Sequence, residues 1–572
     1  MEPLLRIHGL RIDVEGGPDA PPIVKDINLT VNRGEIVALI GESGSGKTTI
    51  CLSAMGYVRP GLKIASGDIH FGGVDVRALS GQALRDLRGK RIAYVAQSAA
   101  AAFNPGLNIG SQVQEPALIH RVMSERDART RAVDLYGQFR LPNPETIGRR
   151  FPHQVSGGQL QRLMAAMAMC CGPEMIVFDE PTTALDVTTQ IDVLKSFKDV
   201  IRKQGVAALY VSHNLAVVAQ MADRIIVLLN GRIQEQGGTN EIISSPKNEY
   251  THMLMAACDP DSARAKTCNR LMEIRASASD RLNINLREGG SKIRPLPVEE
   301  TDGRSALLQV RNLAAGYGGI RILQDINLEV RETSITGIIG ESGSGKTTLG
   351  RVLSGLLPLE TGEIRLDGKL LKPSVRQRKR DELRRIQMVF QMADTALNPA
   401  HTIEKILGRP VEYFQGLSGE KRSRQVRELL EMVQLPGNLS SRRPQELSGG
   451  QKQRINLARA IAANPQIIIC DEVTSGLDTV VRMSIIDLIR ELHTQLRVTF
   501  LFISHDISTI ASLANDVVVM HQGKIVERGL VENILKSPHD PYTKILMASV
   551  PHMRMGWLEE AIIERDSLLV HA

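Results

Sequence analysis

Twice in this chain of 572 residues an apolar run ends in GESGSGKTT, at positions 41–49 and again at 340–348. Gly41, Gly44 and Gly46 let the backbone curl, with Ser43 and Ser45 between them, until its N–H groups face a common centre; Gly340, Ser342, Gly343, Ser344 and Gly345 repeat the curl. A helix-forming run follows each loop and adds the positive end of its dipole, so the pattern reads as a phosphate cradle of the Walker A type. Lys47 and Lys346 are placed to hold the β- and γ-phosphates of ATP. Thr48 and Thr347 are placed to ligate Mg²⁺, and Thr49 and Thr348 complete the binding run. A plain glycine-rich turn would explain one copy poorly and two copies, each between a strand and a helix, hardly at all.

Further along each half, four apolar residues lead into an Asp-Glu pair, at 175–180 and 467–472. Such a run is a buried strand that delivers carboxylates to its C-terminal end, where open α/β sheets bind ligands. Asp179 and Asp471 are expected to organise the Mg²⁺ shell. Glu180 and Glu472 are expected to orient and polarise an attacking water, work worth ~10²–10⁴ in rate. Alone, an apolar run ending in DE is usually structural; its position after the phosphate loop gives it a catalytic reading.

These groups need a scaffold, and the chain supplies it twice. The second phosphate loop follows the first by 299 residues, whereas SGGQ at Ser156 and Ser448, the DE pairs, and the SH pairs at His213 and His505 all recur after 292. A period this long is a duplicated domain. Even the tails match, SPKNEYTHMLMAACDP against SPHDPYTKILMASVP. Apolar β-rich runs at 35–40, 175–178, 208–212 and 224–229 alternate with helix-length stretches, which reads as a mostly parallel sheet covered by helices. We expect a first domain with its extension at 1–275, a polar linker at 276–304 that lacks apolar periodicity, and a second domain with its extension at 305–572.

Composition narrows the setting. With 42% hydrophobic and 23% charged residues, both halves can bury a core. No apolar stretch reaches the ~18–20 residues of a membrane span, and the acidic, polar start does not resemble a signal peptide, so a cytoplasmic location is expected. Six cysteines in mostly apolar surroundings imply reduced thiols rather than disulfides. A net charge of +7 is modest for this length and identifies no partner. The basic run RQRKRDELRR at 376–385 reads as a solvated helix face rather than a lipid or nucleic-acid site.

SGGQ separates this chain from other phosphate-loop ATPases: with it, nearly the whole sequence resembles the ABC ATPases. The resemblance implies two tandem α/β P-loop NTPase domains. Each would have a RecA-like, mostly parallel sheet core, an antiparallel β subdomain and an α-helical subdomain. It implies that Ser156, Gly157, Gly158 and Gln159 contact the γ-phosphate of the nucleotide in the opposite domain, with Ser448, Gly449, Gly450 and Gln451 reciprocating, so that the two domains pair within one chain. Small residues and free N–H groups at a helix start suit an anion. By the same resemblance Gln97 and Gln391 sense metal and γ-phosphate, Asp186 and Asp478 mark the D-loops, and His213 and His505 are switch histidines that hydrogen-bond the γ-phosphate. Tyr317 occupies the place of the aromatic that stacks on adenine, whereas residues 1–40 contain no Tyr, Phe or Trp. Weaker ATP binding is expected in the first half.

Asn-Pro after each Q-loop glutamine (Asn104-Pro105, Asn398-Pro399) and the SP…YT tails resemble the peptide/opine/nickel importers. That subfamily's ATPases sit at the cytoplasmic face of the bacterial inner membrane, under two permeases fed by a periplasmic or lipid-anchored binding protein. Its frequent iron–sulfur cluster needs four thiolates, and only Cys258 and Cys268 follow the first domain, which argues against one here. The rival class, twin cassettes acting on ribosomes or nucleic acid, usually carries DEPTNHLD or zinc-cysteine insertions. This chain has DEPTTALD and DEVTSGLD, so no nucleic-acid partner is expected. The presence of both glutamates argues against a non-hydrolysing regulatory pair.

Overall fold

The computed structural model describes residues 2–16, 22–183, 185–258 and 306–571. The expected linker at 276–304 and Cys268 lie outside the described residues. The chain divides into two compact units: unit 1 is Met1–Asp280 with Asp478–Val480 and Ser549–Ser567, and unit 2 is Arg281–Leu477, Val481–Ala548 and Leu568–Ala572.

In unit 1, β1 (Leu5–Val14), β2 (Val24–Val31), β4 (Leu62–Phe71) and β5 (Val74–Asp75) form an antiparallel sheet in the order β2-β1-β4-β5. β3 (Ile36–Gly41), β6 (Ile92–Val95), β7 (Met175–Asp179), β8 (Ala207–Val211), β9 (Arg224–Leu229) and β10 (Arg232–Gly238) form the main sheet, ordered β10-β9-β3-β8-β7-β6. All neighbours in it are parallel except β10, which returns antiparallel on β9. Every residue of β3, β7 and β8 is buried, as continuous apolar runs covered on both faces must be. The strands begin and end within a residue of where the apolar runs place them. One core then fills the space between the two sheets: Leu5, Ile7, Ile27 and Leu29 meet Val37, Leu39, Val177 and Leu209 around Ile50, Cys51 and Ala54 of the helix that leaves the phosphate loop. Burying a large aliphatic side chain is worth ~1.5–3 kcal/mol, so this core fixes where the loop's helix starts.

Unit 2 repeats the plan. β11 (Ala306–Tyr317), β12 (Ile320–Arg331), β14 (Thr361–Leu366) and β15 (Lys369–Leu370) form the antiparallel sheet β12-β11-β14-β15. β13 (Ile335–Ile339), β16 (Ile386–Val389), β17 (Ile467–Asp471), β18 (Thr499–Ile503), β19 (Asp516–His521) and β20 (Lys524–Leu530) form the main sheet β16-β17-β18-β13-β19-β20. Its core joins Leu308, Val310 and Ile326 to Ile338, Ile469 and Leu501 around Leu349 and Leu353. Each unit also has the expected helical segment between Q-loop and SGGQ: Ile109–Ile119 and Glu125–Gln138 in unit 1, Ile403–Pro410 and Gly419–Met432 in unit 2.

Two features depart from the linear reading. The basic run is not one exposed face: its helix is only Arg380–Arg385, and Arg378 is buried, donating to the carbonyls of Leu353 (2.8 Å) and Lys372 (2.9 Å). The last helix, Trp557–His571, runs through Ser567 as part of unit 1. Trp557, Leu558 and Ala561 are buried there, the Gln220 amide donates to the carbonyls of His552 and Arg554, and Lys198–Glu559 and Arg565–Asp192 form ion pairs of 2.8 and 2.7 Å. Among the described residues no helix is long and apolar enough to cross a membrane.

Candidate active site

β3 ends at Gly41, where φ is 142° and a Cβ would stand 2.1 Å from the Leu228 carbonyl oxygen; only glycine fits that approach. The loop then turns into the helix Lys47–Ser53. Lys47 is buried, and its Nζ donates to the carbonyls of Gly41 (2.9 Å) and Glu42 (2.7 Å), so the ammonium lies inside the curl. Burial pushes its pKa down against the opposing pull of Glu180, Asp478, Asp179 and Glu42. At the loop's end the Thr48 hydroxyl donates to Asp179 Oδ1 at 3.0 Å.

Asp179 closes β7, and Glu180 follows with φ 49°, a left-handed conformation that costs an ordinary residue ~1–2 kcal/mol. A backbone bond from Glu180 N–H to the Val211 carbonyl (2.9 Å) holds the turn and aims the carboxylate out of the strand end. Three groups converge on its Oε2: the Gln97 amide at 3.0 Å, the Thr183 hydroxyl at 3.2 Å and His213 Nδ1 at 3.2 Å. Burial raises the Glu180 pKa, but the His213 bond, the His213 charge and Lys47 outweigh it, leaving the group below the usual carboxylate value and ionised at neutral pH.

Unit 2 builds the same constellation from its own residues. Gly340 has φ 147° and no room for a Cβ beside the Met520 carbonyl. Lys346 Nζ donates to Gly340 O (2.9 Å) and Glu341 O (2.7 Å), and the Thr347 hydroxyl donates to Asp471 Oδ1 at 2.9 Å. Glu472, at φ 48°, takes the Gln391 amide at 2.7 Å and lies 3.3 Å from His505 Nδ1. Its pKa is likewise lowered, burial being overcome by His505 and Lys346. Asp471 instead goes up, because burial outweighs the bond from Thr347.

Ser156 and Ser448 cap the helices Gly157–Met169 and Gly449–Ile461. Each hydroxyl accepts from the backbone N–H of the glutamine three residues on (3.3 Å), and that side chain, Gln159 or Gln451, accepts the serine N–H in return (3.1 and 3.0 Å). SGGQ is thus also a capping box, legible as S-x-x-Q, and it commits the two glutamines to the helix start while Gly157 and Gly449 stay exposed. Gly158 and Gly450 press against Thr189 and Val481, where a Cβ would come within 2.1 and 2.7 Å.

Tyr94, a further neighbour of the site, belongs to no sequence motif. The Tyr94 hydroxyl donates to Asp179 Oδ2 at 2.8 Å, so both Asp179 oxygens are engaged. Within unit 1 the Asp478 carboxylate accepts from Ser43 N–H at 3.2 Å, and the Thr479 hydroxyl donates to the His213 carbonyl at 3.2 Å. Asp186 caps the helix Val187–Gln204 by accepting from Thr189 N–H. Tyr317 ends β11 with 40% of its surface exposed, and its hydroxyl accepts from Arg351 on the helix that leaves the second loop.

A family model for the ABC transporter matches residues 24–183 and 323–475, more than half of the sequence, taking in both loops and both DE pairs. The chain belongs to the ABC transporter family. A second model, for the C-terminal region of oligopeptide/dipeptide transporters, matches 526–569. The glutathione import ATP-binding protein GsiA of Salmonella typhimurium is 33% identical over 558 residues, covering 96% of this chain and 89% of the relative. The peptidoglycan transport ATP-binding protein YejF of Agrobacterium fabrum is 34% identical over 550 residues, covering 96% of each. Among solved structures, cbiO1 from Clostridium perfringens, part of the ABC transporter complex cbiONQ, aligns with TM-score 0.38 and 27% identity over 41% of this chain and 91% of its own. This ABC chain is a transport ATPase that binds ATP and associates peripherally with its membrane partners.

Proposed function

We propose that this chain hydrolyses Mg²⁺-bound ATP in two sites to power import of a peptide-like solute. In this reading it works on the cytoplasmic side of the bacterial inner membrane, beneath two permeases supplied by a periplasmic or lipid-anchored binding protein. The importer reading is supported by the oligopeptide/dipeptide match at 526–569 and by relatives named for glutathione and peptidoglycan transport. These do not favour the rival reading of a twin cassette acting on ribosomes or nucleic acid.

The observation that carries the chemistry is the doubled constellation around Glu180 and Glu472. Each carboxylate is ionised, strained at its backbone and bonded to a Q-loop glutamine, with a histidine nitrogen within 3.3 Å. Water bound to either carboxylate is oriented for attack on the γ-phosphorus as the bond to the ADP oxygen breaks, and the carboxylate polarises the water's O–H. Lys47 and Lys346 give up their carbonyl partners to hold the β- and γ-phosphates, with loop N–H groups beside them. The threonine hydroxyl and aspartate carboxylate paired at each loop end are hard oxygen donors, few in number, as suits a cation that keeps phosphates and water among its ligands; Mg²⁺ bound there would neutralise phosphate charge. His213 and His505 report the γ-phosphate to the glutamates. The glycine N–H groups after Ser156 and Ser448 would grip the nucleotide bound by the other half, so that two ATP molecules close the halves as a clamp and hydrolysis releases them. Closure of that kind supplies the differential affinity that a conformational drive requires.

The test is E180Q/E472Q in the full chain. ATP binding should persist while ATPase turnover falls ~10²–10⁴-fold; undiminished turnover would remove the catalytic assignment. Uptake through the co-expressed permeases, assayed with peptides, opines, sugars and metal chelates, identifies the solute class.

A further inference from the structure

We infer that Tyr250 and Tyr542, in the repeated SP…YT tails, are positioning residues of the two phosphate-binding loops, so that each C-terminal extension is part of a nucleotide site. This rests on the assignment of Lys47 and Lys346 to the phosphates.

In unit 2 the backbone N–H of Glu341, the second residue of the loop, donates to the Tyr542 hydroxyl at 2.9 Å. The carbonyl of the same residue receives Lys346 Nζ at 2.7 Å. The tail hydroxyl and the phosphate-binding lysine therefore grip one residue from its two sides. Tyr542 cannot drift, because its ring packs on His521 at the end of β19, with centroids 3.9 Å apart. Its segment is tied down as well: Glu527 on β20 accepts the N–H groups of His539 (2.8 Å) and Asp540 (3.3 Å), and Asp540 accepts from Tyr542 N–H (2.9 Å).

Unit 1 repeats this architecture. Glu235 accepts the N–H groups of Lys247 (2.8 Å) and Asn248 (3.1 Å), and Asn248 accepts from Tyr250 N–H (2.9 Å). Tyr250 is 2% exposed, and its hydroxyl lies 3.5 Å from the Glu42 carboxylate, on the residue whose carbonyl receives Lys47. Leu254, one helical turn on, lines with Gly41, Glu42 and His213 the cleft beside the loop. The Glu42 backbone also hydrogen-bonds the Tyr250 hydroxyl, as the Glu341 N–H bonds Tyr542, so an effect of similar size is expected here. A loop fixed before its ligand arrives pays less ordering entropy on binding, which is where such a contact contributes.

The experiment is calorimetric titration of ATP into the full-length E180Q/E472Q chain with and without Y542F or Y250F, alongside thermal melting of each. Y542F should weaken one of the two ATP sites ~2- to 12-fold, and Y250F the other by a similar factor, with melting temperatures unchanged. In the otherwise unaltered chain Y542F should raise KM for ATP while kcat stays within about twofold, since the lost contact acts on binding. Unchanged ATP affinity in Y542F overturns the inference whether or not the melting temperature falls, because the tyrosine is then a packing residue only. Phenylalanine keeps the ring and its packing on His521, whereas Y542A removes both. If E180Q/E472Q itself still turns over ATP, the active-site reading fails; an inactive E180Q/E472Q with Y542F unaffected sinks this inference alone.

Discussion

The two candidate sites of this chain share a skeleton to within a few tenths of an ångström and differ at its edges. Lysine to loop carbonyl, threonine to aspartate and glutamine to glutamate recur at 2.9, 3.0 and 3.0 Å in unit 1 and at 2.9, 2.9 and 2.7 Å in unit 2. Around that skeleton, Tyr94 braces Asp179, whereas the matching position on β16 is Met388, which offers Asp471 no donor. Tyr317 and Arg351 flank the second loop's helix, whereas the first half has Leu52 where Arg351 stands and no aromatic before residue 41. Arg482 is tied to Asp506, next to the switch histidine, and the first half has Gln190 and Asn214 in those places. The groups proposed to touch phosphate and water are duplicated, while the side chains around them differ. The two sites should therefore perform one reaction with unequal affinities.

The largest expected inequality concerns adenine. In E180Q/E472Q the two ATP affinities should differ ~5- to 150-fold, the worth of one stacking ring, with the second site the tighter. Y317A should collapse that difference. Two equal affinities in the parent, or a difference that survives Y317A, would break the comparison at its strongest point.

A smaller effect is expected at Asp179. Y94F leaves Oδ2 of a buried carboxylate without its donor, and a hydrogen bond to a charged group contributes ~1.5–3 kcal/mol at most, less where water replaces it. The Mg²⁺ concentration for half-maximal ATPase should shift by up to ~10-fold in the part of turnover that E472Q leaves. M388F, the corresponding change in the second half, should leave it where it was. A shift in M388F equal to that in Y94F would show that the tyrosine acts by bulk rather than by its hydroxyl.

How much of this was legible depended on the range of the contact. The strands, the loops, the DE pairs and the separation of sheet from helical segment follow from local pattern, because each is written in consecutive residues. The capping box in SGGQ was written there too, as a serine with glutamine three residues on. Tyr94 with Asp179 spans 85 residues and Glu341 with Tyr542 spans 201, and neither pair carries a spacing rule; only the sheet order brings them together. Arg378 shows the opposite failure: a run of like charge reads as solvent-facing, yet two backbone carbonyls, those of Leu353 and Lys372, take up one of its guanidinium groups in the interior.

The smallest effect concerns the tie beside His505. Arg482 NH1 lies 2.9 Å from Asp506 Oδ2, and Arg482 also donates to the Leu477 carbonyl, so it links the two segments that follow Glu472 and His505. Burial pushes the Asp506 carboxyl up, but the Arg482 charge and the Thr509 hydroxyl overcome it and leave the pKa below the ordinary aspartate value of 3.8. A lowered carboxylate stabilises the fold above that ordinary value and loses its contribution as pH falls through the lowered one. R482Q removes the largest charge that opposes burial, so the Asp506 pKa rises and its stabilisation is lost at higher pH. Acid unfolding of R482Q, followed by circular dichroism, should begin at a pH higher than in the parent by up to ~0.7, since a partly exposed ion pair is worth ~0.2–1 kcal/mol. In the first half Q190A should not move the acid transition, because Asn214 carries no charge to lose. An R482Q transition that coincides with the parent's would mean that Arg482 holds the Leu477 carbonyl alone, and the two switch loops would then be supported alike.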